Sequence, residues 1–391
     1  MNDYKLDFED TATAFSDKSN GDLQKKYQMF RLINSPVLTG IGTKLTALAF
    51  KLNLPVRGMV KQTIFSQFCG GETIEECQAT VNQLGKARIG TILDYSVEGK
   101  SEESVFESTK NEIHRTVTRA KEDENVPFAV FKVTGLADFG LLEKVSAGRE
   151  LLKQETADWE NAERRVEEIC SYAHSLEQPV FIDAEETWIQ DAIDALAAEM
   201  MEKYNREKPI IYNTIQLYRT DRLEFLKKSH EEAKRNGYFL AVKLVRGAYM
   251  EKERARAEEM GYPSPIQPNL AATNSDYNAA LQFCVENIDT IAFVAGTHNE
   301  ESIQFLVRLM NEKGISPNHV NVNYSQLYGM SDNLSYVLAK NDFNVSKYVP
   351  YGPVPDTIPY LIRRAQENTS VAGQVSRELD LISKELKRRR L

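Results

Sequence analysis

Short hydrophobic runs alternate with charged, helix-favouring stretches along most of this chain. The runs are rich in β-branched and aromatic residues, which is typical of buried strands, and the stretches between them have the composition of surface helices. From about residue 86 onward eight such runs follow one another: Gly90–Ser96, Phe128–Thr134, Val180–Glu185, Ile210–Gln216, Leu240–Gly247, Thr290–Thr297, Val320–Leu327 and Val345–Pro350. Strands that alternate with helices pair in parallel through right-handed crossovers, so the pattern predicts an α/β fold, a closed (β/α)8 barrel.

The start of the chain has a different pattern. Residues 1–85 show helical periodicity and breakers but little strand signal. They predict a helical arm that precedes a barrel over residues 86–391, with C-terminal helices of which one covers the barrel mouth. Within the arm, Gly40–Leu45 contains two of the glycines of a dinucleotide-binding loop. It lacks the third glycine and follows no strand, so it predicts a helix cap or a turn.

Polar side chains occupy the C-terminal end of every predicted strand. They are Asp94, Lys132, Asp183, Gln216, Lys243 with Arg246, His298, Gln326 and Tyr348. In a (β/α)8 barrel the catalytic residues come from these ends, because all of them open onto one face. Any one of these residues alone is more often a strand-end residue that meets solvent. Eight polar ends in register predict an active site on that face.

Two adjacent arginines, Arg363 and Arg364, lie near the end of the chain. Their segment predicts a helix that begins at Pro359, since proline suits the first helical position. Four residues of this helix share one face: Tyr360, Arg363, Arg364 and Glu367. Two guanidinium groups form a clamp for a small carboxylate or phosphate, although an isolated Arg-Arg pair is more often a solvated basic patch. The aromatic residues of Tyr348–Pro353 and Tyr360 favour the clamp.

Composition excludes several classes of protein. The chain has 391 residues, of which 42% are hydrophobic and 27% charged, as in ordinary globular proteins. A net charge of -9 argues against a general nucleic-acid binder, which needs a basic surface. Four scattered cysteines without a CxxC pair suit a reducing cytoplasm, and five histidines show no metal-binding spacing. We therefore expect a cytoplasmic protein without a metal centre, a secretory signal or a membrane-spanning run.

Several of these motifs together resemble the proline dehydrogenase family. They are Asp183–Glu185, Lys243–Tyr249, Thr297–Asn299, Tyr348–Gly352 and Tyr360–Arg364. The resemblance runs from roughly Cys69 to Glu385 and is closest to the monofunctional branch shared by bacteria and mitochondria. It implies a flavoenzyme whose (β/α)8 barrel binds FAD. Such an enzyme oxidises L-proline to Δ1-pyrroline-5-carboxylate by hydride transfer to flavin N5 and passes the electrons to a membrane quinone, which is the first step of proline degradation to glutamate.

The resemblance also implies how proline binds. Arg363 and Arg364 match the arginines that hold the substrate carboxylate. Lys132 adds a third positive charge, and Asp183 is expected to balance the cations as a buried partner of the clamp. Six residues are expected around the ring: Leu244, Ala248, Tyr249, Leu327, Tyr348 and Tyr360. Apart from the resemblance, both leucines of this set are better explained as simple barrel core.

For FAD, the resemblance implies a second set of contacts. It consists of Gln216, Lys243, Val245, Gly247, Thr273, Asn274, His298 and Glu367. Lys243 stands where the family often has Arg, and its charge suits the pyrophosphate or a reduced, anionic flavin. Gln216 is expected to hydrogen-bond the flavin ring, and Gly247 to let the backbone approach the cofactor. His298 alone is more often a satisfied strand-end histidine than a ligand.

Two other functions remain open. One is trans-4-hydroxy-L-proline dehydrogenase, a branch in which a small residue replaces the aromatic that matches Tyr348, so Tyr348 favours proline. The other is a barrel that has lost catalysis and serves as a regulator or scaffold. The presence of Lys132, Asp183 and the Arg363–Arg364 pair argues against that function.

Partners follow from the same reasoning. The chain length leaves no room for a second catalytic module, so the next step is expected to need a separate pyrroline-5-carboxylate dehydrogenase. The basic segment Lys384–Leu391 is a candidate for peripheral contact with the inner face of the cytoplasmic membrane, where the quinone lies. A solvated helix end, stabilised by the helix dipole, is an equally good interpretation of that segment.

Overall fold

A parallel barrel organises the protein, whose computed structural model describes residues 5–33, 57–96, 102–370 and 374–391. Its strands are β1 (Gly90–Tyr95), β2 (Phe128–Lys132), β3 (Val180–Asp183), β4 (Ile211–Gln216), β5 (Leu240–Val245), β6 (Ile291–Gly296), β7 (Val322–Leu327) and β8 (Val345–Tyr351). They follow one another in chain order around the closed barrel. The predicted (β/α)8 barrel is confirmed.

Helices precede, separate and follow the strands. Before β1 lie α1 (Thr11–Ala14), α2 (Asn20–Ile33), α3 (Arg57–Val60), a π-helical turn (Lys61–Phe65), α4 (Ser66–Phe68) and α5 (Ile74–Lys86). From β1 to β8 they are α6 (Glu103–Glu122), α7 (Phe139–Ser146), α8 (Lys153–Ser175), α9 (Thr187–Tyr204), α10 (Arg222–Asn236), α11 (Met250–Met260), α12 (Leu270–Glu286), α13 (Glu300–Glu312) and α14 (Asp332–Lys340). After β8 lie α15 (Val354–Ser370) and α16 (Gln374–Arg388). The division into an arm and a barrel at residue 85 stays a prediction.

Each predicted run coincides with one of these strands, and the bounds differ by no more than two residues. The run predicted from Val320 shows why they differ. Val320 is 84% exposed, and the backbone N–H of Val322 donates to the carbonyl of His319 at 3.0 Å. This turn precedes β7, so the strand begins at Val322 although the apolar run begins earlier.

The strands are hydrophobic on both faces because helices cover a parallel sheet from outside. Every residue of β3 and β4 is buried. Phe128 of β2 stacks on Phe181 of β3 with ring centres 4.6 Å apart, and Tyr212 of β4 meets Phe181 edge-on at 5.4 Å. Burial on both sides explains why these strands read as short continuous runs in the sequence.

Two compact units can be distinguished. One is built around Gly99–Ser325, and the other contains Leu6–Glu98 and Gln326–Leu391. In the second unit α2 packs against α16, and both contribute buried side chains to one hydrophobic cluster, among them Leu23, Phe30, Leu381 and Ile382. Residues from the two ends of the chain therefore share one core.

The helix that carries the arginine pair begins earlier than predicted. It starts at Val354, so Pro359 lies inside it and is not its first residue. The backbone N–H of Val354, which has no partner within the helix, donates to the Glu72 carboxylate at 3.2 Å. This long-range contact extends the helix by more than a turn beyond the local signal. The predicted turn at Gly40–Leu45 lies outside the described residues.

Acidic partners surround several cations of the basic C-terminal segment. Lys384 forms an ion pair with Glu9, and both Arg388 and Arg389 pair with buried Glu385 at 2.7 and 2.6 Å. Burial raises the pKa of Glu385, but hydrogen bonds from the two arginines outweigh it and hold the pKa at about 2. Arg389 also donates to main-chain carbonyls of the N-terminal segment. These contacts favour a structural role for much of the segment.

The last features of the fold concern long apolar helices and clusters of metal-binding side chains. Among the described residues, no helix is long and apolar enough to cross a membrane. Within the same ranges, no group of three or more His, Cys, Asp or Glu side chains is arranged to hold a metal ion.

Candidate active site

A buried ion pair lies at the C-terminal ends of β3 and β5. Asp183 Oδ1 contacts Lys243 Nζ, and the Thr214 hydroxyl donates to the same oxygen at 3.4 Å. Lys132, the last residue of β2, is the register partner of Asp183 and is half-buried. The structure thus brings together three of the predicted polar strand ends. It pairs Asp183 with Lys243, while the partnership of Asp183 with the arginine clamp stays a prediction.

Lys243 is held on a second side by an aromatic ring. Its Nζ lies 5.2 Å from the centre of the Phe181 ring. A buried ammonium needs an acid, hydrogen bonds or a π face to offset the loss of water, and Lys243 has the acid and the π face. Its position is therefore strongly constrained.

Gln216, predicted to contact the flavin, ends β4 and is buried. Its side-chain amide donates to the main-chain carbonyl of Glu185 at 2.7 Å. The Glu185 carboxylate in turn accepts from the N–H and hydroxyl of Thr134, at 3.1 and 2.5 Å. Burial raises the pKa of Glu185 to about 7. In the sequence Glu185 had no predicted role beyond its place in a motif, although an acid two residues past a strand end was a visible signal.

The loop after β5 is held against the loop after β4. The N–H groups of Leu217 and Tyr218 donate to the carbonyls of Val245 and Arg246, at 2.9 and 2.7 Å. At Gly247, φ is 141°, and a Cβ there would lie 2.4 Å from the Tyr218 ring. Glycine is thus required by a neighbouring side chain, a reason that the sequence did not reveal.

Arg246 contacts one predicted FAD residue and three other side chains. Its guanidinium donates to Asn274 Oδ1 at 2.8 Å, to Ser302 Oγ at 2.9 Å, and to the Thr297 hydroxyl. The same group lies 4.3 Å from the centre of the Tyr277 ring. Arg246 was recognised as a strand-end residue but not assigned to the cofactor set. Its hydrogen bond to Asn274 places it beside a residue that was assigned to that set.

The other predicted residues of this unit differ in exposure. Leu244 is fully buried in the barrel wall, as the simpler interpretation of the sequence expected, and Tyr249 is also buried. Thr273 is buried within α12. Half-buried positions are Val245 and His298, and Ala248 is exposed.

In the second unit, the arginine pair lies on α15. Arg364 is 9% exposed, and its guanidinium carbon lies 5.6 Å from the centre of the buried Tyr360 ring. Arg363 is half-buried. A solvated basic patch does not describe Arg364, because such a patch would leave the guanidinium in water. Glu367 lies on the same helix, and its side chain is outside the described residues.

Leu327 and Tyr348, both predicted around the proline ring, end or nearly end β7 and β8. Each is half-buried. The Tyr328 N–H donates to the Tyr348 carbonyl at 2.9 Å, and Lys347 Nζ donates to the Leu327 carbonyl at 3.5 Å. The backbone around both side chains is therefore fixed by hydrogen bonds that do not involve the side chains themselves.

A second group of buried charges lies in this unit and was not predicted. Asp332 pairs with Lys26 at 2.6 Å and with Lys347 at 3.0 Å, while Glu378 accepts from the N–H of Ser331. Burial raises the pKa of Asp332, but the two lysines outweigh it and hold the pKa well below its usual range. The signal in the sequence was a lysine in the middle of the strand β8. Its partners come from distant segments and could not be deduced.

A family model described as proline dehydrogenase matches residues 77–377. The chain belongs to the proline dehydrogenase family. This confirms the family resemblance seen in the sequence and makes the barrel that of an oxidoreductase of proline catabolism. Every predicted site residue lies within the matched residues.

Relatives with this description span most of the chain. Proline dehydrogenase 1, mitochondrial, of Dictyostelium discoideum is 33% identical over an alignment that covers 100% of this chain and 76% of the relative. The protein of the same name from Arabidopsis thaliana is 31% identical, with coverage of 98% and 86%. The hydroxyproline dehydrogenase of Xenopus laevis is 32% identical, with coverage of 97% and 90%. Relatives named proline dehydrogenase and a relative named hydroxyproline dehydrogenase thus both match nearly the whole chain.

Solved structures show the same fold. The structure of proline utilization A (PutA) from Bdellovibrio bacteriovorus, inactivated by N-propargylglycine, aligns with a TM-score of 0.73 at 20% identity. The alignment covers 93% of this chain and 38% of that one, so this chain corresponds to less than half of the bacterial protein. At this level of identity the likeness supports the fold alone.

Proposed function

We propose that this chain oxidises L-proline to Δ1-pyrroline-5-carboxylate with FAD as cofactor and passes the electrons to a membrane quinone. The observation that carries the proposal is the buried Arg364 guanidinium, which lies 5.6 Å from the Tyr360 ring and next to Arg363 in sequence. A fork of donors beside an aromatic surface matches a ligand with a carboxylate and an apolar ring. Proline has both.

The apolar part of the proposed site surrounds the substrate ring. We assign this role to Leu244, Ala248, Tyr249, Leu327, Tyr348 and Tyr360. Because their side chains are mostly buried or half-buried, they exclude water from the carbon that is oxidised. Orientation of that carbon by the carboxylate clamp is the main contribution of the protein to the rate.

Charge at the strand ends supports binding of an anion. Lys132 and Lys243 are two cations at neighbouring strand ends, beside Asp183. Cations in such a position suit a ligand that carries a negative charge. The substrate carboxylate and the cofactor phosphates both carry such a charge.

The residues after β4, β5 and β6 fit FAD. Lys243 and Arg246 are buried or half-buried cations suited to a phosphate or an electron-rich ring, and Gln216 offers a buried amide. The proposed cofactor contacts are Gln216, Lys243, Val245, Gly247, Thr273, Asn274, His298 and Glu367. When bound, FAD supplies the two-electron acceptor that these side chains lack. We assign loss of the proton from the proline amine to solvent before binding.

Spectroscopy of the purified protein tests the proposal. We expect the purified protein to contain a flavin that is identified as FAD after release. Its absorbance at about 450 nm should disappear when L-proline is added without oxygen. A soluble quinone should then restore the colour, and a reagent for cyclic imines should detect the product. Protein that binds FAD but is not bleached by proline would exclude this function.

A second candidate function is oxidation of trans-4-hydroxy-L-proline. The observation in its favour is the near full-length similarity to the Xenopus laevis hydroxyproline dehydrogenase. Tyr348 argues for proline, since a bulky side chain there disfavours a 4-hydroxyl. The same bleaching experiment with both substrates at equal concentration decides between them, because the true substrate reduces the flavin at the higher kcat/KM.

Location and partners form the last part of the proposal. We expect a cytoplasmic protein that touches the membrane peripherally and hands its product to a separate pyrroline-5-carboxylate dehydrogenase. Lys387 and Arg390 are the exposed cations of the C-terminal segment best placed for anionic lipid. Changing both to Gln should weaken the affinity for anionic liposomes, measured by sedimentation, by about 30-fold, at about 1 kcal/mol per charge. The matched control changes Lys227 and Lys228, both exposed on α10, to Gln; equal losses in the two variants would reject a specific role of the segment.

A further inference from the structure

Glu185 joins the ends of three consecutive strands. It lies two residues past the end of β3 and is 3% exposed. Its carboxylate accepts from the N–H and hydroxyl of Thr134, its own N–H donates to Gln190 Oε1 at 2.8 Å, and its carbonyl accepts from Gln216 at 2.7 Å. Every polar group of Glu185 therefore has a partner, and these partners follow β2, begin α9 and end β4.

Two of these partners lead directly to residues of the proposed site. Thr134 is in the 3-10 turn Val133–Gly135, which follows Lys132 without an intervening residue. Both carboxylate oxygens of Glu185 hold this turn, so they determine where the chain leaves β2 and where the Lys132 side chain starts. Through its carbonyl, Glu185 also holds the amide of Gln216.

The charges around Glu185 are few. Lys132 acts on it from β2, and Glu186 acts on it from the start of α9. Glu186 is itself paired with Lys252 of α11 at 2.8 Å. Gln190 and Gln216, which contact the Glu185 backbone, are neutral. An uncharged isostere at position 185 therefore removes one negative charge near Lys132 and leaves the packing unchanged.

We propose that Glu185 is a positioning residue for the reaction, which holds Lys132 and Gln216 in one fixed arrangement through Thr134 and through its own carbonyl. This inference rests on the proposed function, since Lys132 and Gln216 are its substrate and cofactor residues. Glu185 does not touch the reacting atoms. Its hydrogen bonds to Thr134 are compatible with a carboxylate, with a carboxylic acid and with a carboxamide, because the Thr134 hydroxyl can donate or accept.

Two variants separate geometry from charge. Glu185→Gln keeps an acceptor for the Thr134 N–H and a donor for its hydroxyl, so we expect kcat/KM for proline within about 3-fold of wild type at neutral pH. Glu185→Ala leaves the Thr134 N–H without its acceptor and releases the turn. For this variant we expect a fall in kcat/KM of about 30-fold or more, mainly in kcat, and FAD that dissociates about 10-fold more readily, as measured by dialysis.

The pH profile gives a second readout that packing alone would not change. Wild type should show an inflection in kcat/KM near the pKa of Glu185, about 7, because ionisation changes the charge beside Lys132. Glu185→Gln should lose that inflection and keep the others. Glu186→Gln, the loss of a neighbouring buried acid, is the matched control and should keep it.

If Glu185→Ala does not fold, Thr134→Val is used in its place. Valine has about the size of threonine but lacks the hydroxyl that contacts the Glu185 carboxylate. This variant should lower kcat/KM about 3- to 10-fold. The inference is overturned if Glu185→Gln loses as much activity as Glu185→Ala, or if Glu185→Ala (or Thr134→Val in its place) matches wild type in kcat/KM and FAD retention. A wild type that proline does not bleach would reject the proposed function instead, and FAD dialysis of the same variants would still test whether the turn after β2 must be held for FAD to stay bound.

Discussion

Two groups of buried charges differ in one property that separates a candidate site from a structural cluster. In the first unit, Lys132 and Lys243 lie with Asp183 at strand ends, and Lys132 is only half-buried. In the other unit, two lysines, Lys26 and Lys347, are matched by two acids, Asp332 and Glu378, and all four are 5% exposed or less. The first group has a half-buried member at a strand end, whereas every member of the second group is buried.

The difference teaches how to read buried charges. Ionised groups without water must be paired, and a cluster that pairs all of its own members can only stabilise or specify the fold. The second cluster does this for four separate parts of the chain: α2, the start of α14, β8 and α16. A cluster of charges at strand ends with a half-buried member is a better indication of function. The predictions below test this distinction, from the largest expected effect to the smallest.

Asp332→Asn should be severely destabilising, because it leaves Lys26 and Lys347 buried without their shared acid. Loss of one partner of a buried pair costs about 3–5 kcal/mol of unfolding free energy. Urea denaturation of the apoprotein measures the change. The control is Asp342→Asn, which breaks the exposed ion pair with Arg88 and should cost under about 1 kcal/mol. Similar values for the two variants would remove the claim that this cluster is structural.

Arg363→Met and Arg364→Met should act on proline rather than on folding. Removing one guanidinium from a carboxylate clamp costs about 2–5 kcal/mol, or roughly 30- to several-thousand-fold in KM. FAD retention should change much less. Steady-state kinetics and flavin content of the purified variants provide both values. Unchanged KM in either variant would exclude that arginine from the clamp.

Glu185→Gln should flatten the pH dependence of stability. The folded-state pKa of about 7 lies above the ordinary value of 4.5, so the folded protein binds the proton more tightly than the unfolded chain does. Glu185 therefore adds its full contribution to the free energy of unfolding below pH 4.5, and this contribution is lost as the pH rises to about 7. The loss is roughly 3 kcal/mol, at 1.36 kcal/mol per pKa unit. Urea denaturation at pH 5 and 7.5, for example, should show a smaller difference in the variant than in wild type; an identical difference would mean that Glu185 does not titrate in this window.

Tyr348→Ser should have the smallest effect, a change in preference rather than a loss of function. Tyr348 is held by its backbone, so the shorter side chain should open space without moving β8. We expect the ratio of kcat/KM for trans-4-hydroxy-L-proline over proline to rise about 10-fold. Tyr348→Phe separates the ring from the hydroxyl. If the ratio is unchanged in the Ser variant, Tyr348 does not select the substrate.

Much of the candidate site was predictable because its residues stand at strand ends. Lys132, Asp183 and Lys243 were visible as polar residues that terminate apolar runs, and the structure brings them together. The pairing of Asp183 with Lys243 was not visible, since several cations were available to one acid. Nor was the contact of Gly247 with the Tyr218 ring, because it depends on how two loops meet.

The amino-acid sequence by itself determined the barrel: which segments become strands, their order, and the polar residue at each end. These properties are local, because hydrophobic periodicity records which faces of a segment are buried. Only the tertiary structure decided which buried charges meet. Lys26 and Asp332 are 306 positions apart, and Thr134 and Glu185 are 51 apart. The start of α15 at Val354 likewise depends on the distant Glu72. A buried charge must have a partner, but the chain fold alone decides which one it reaches.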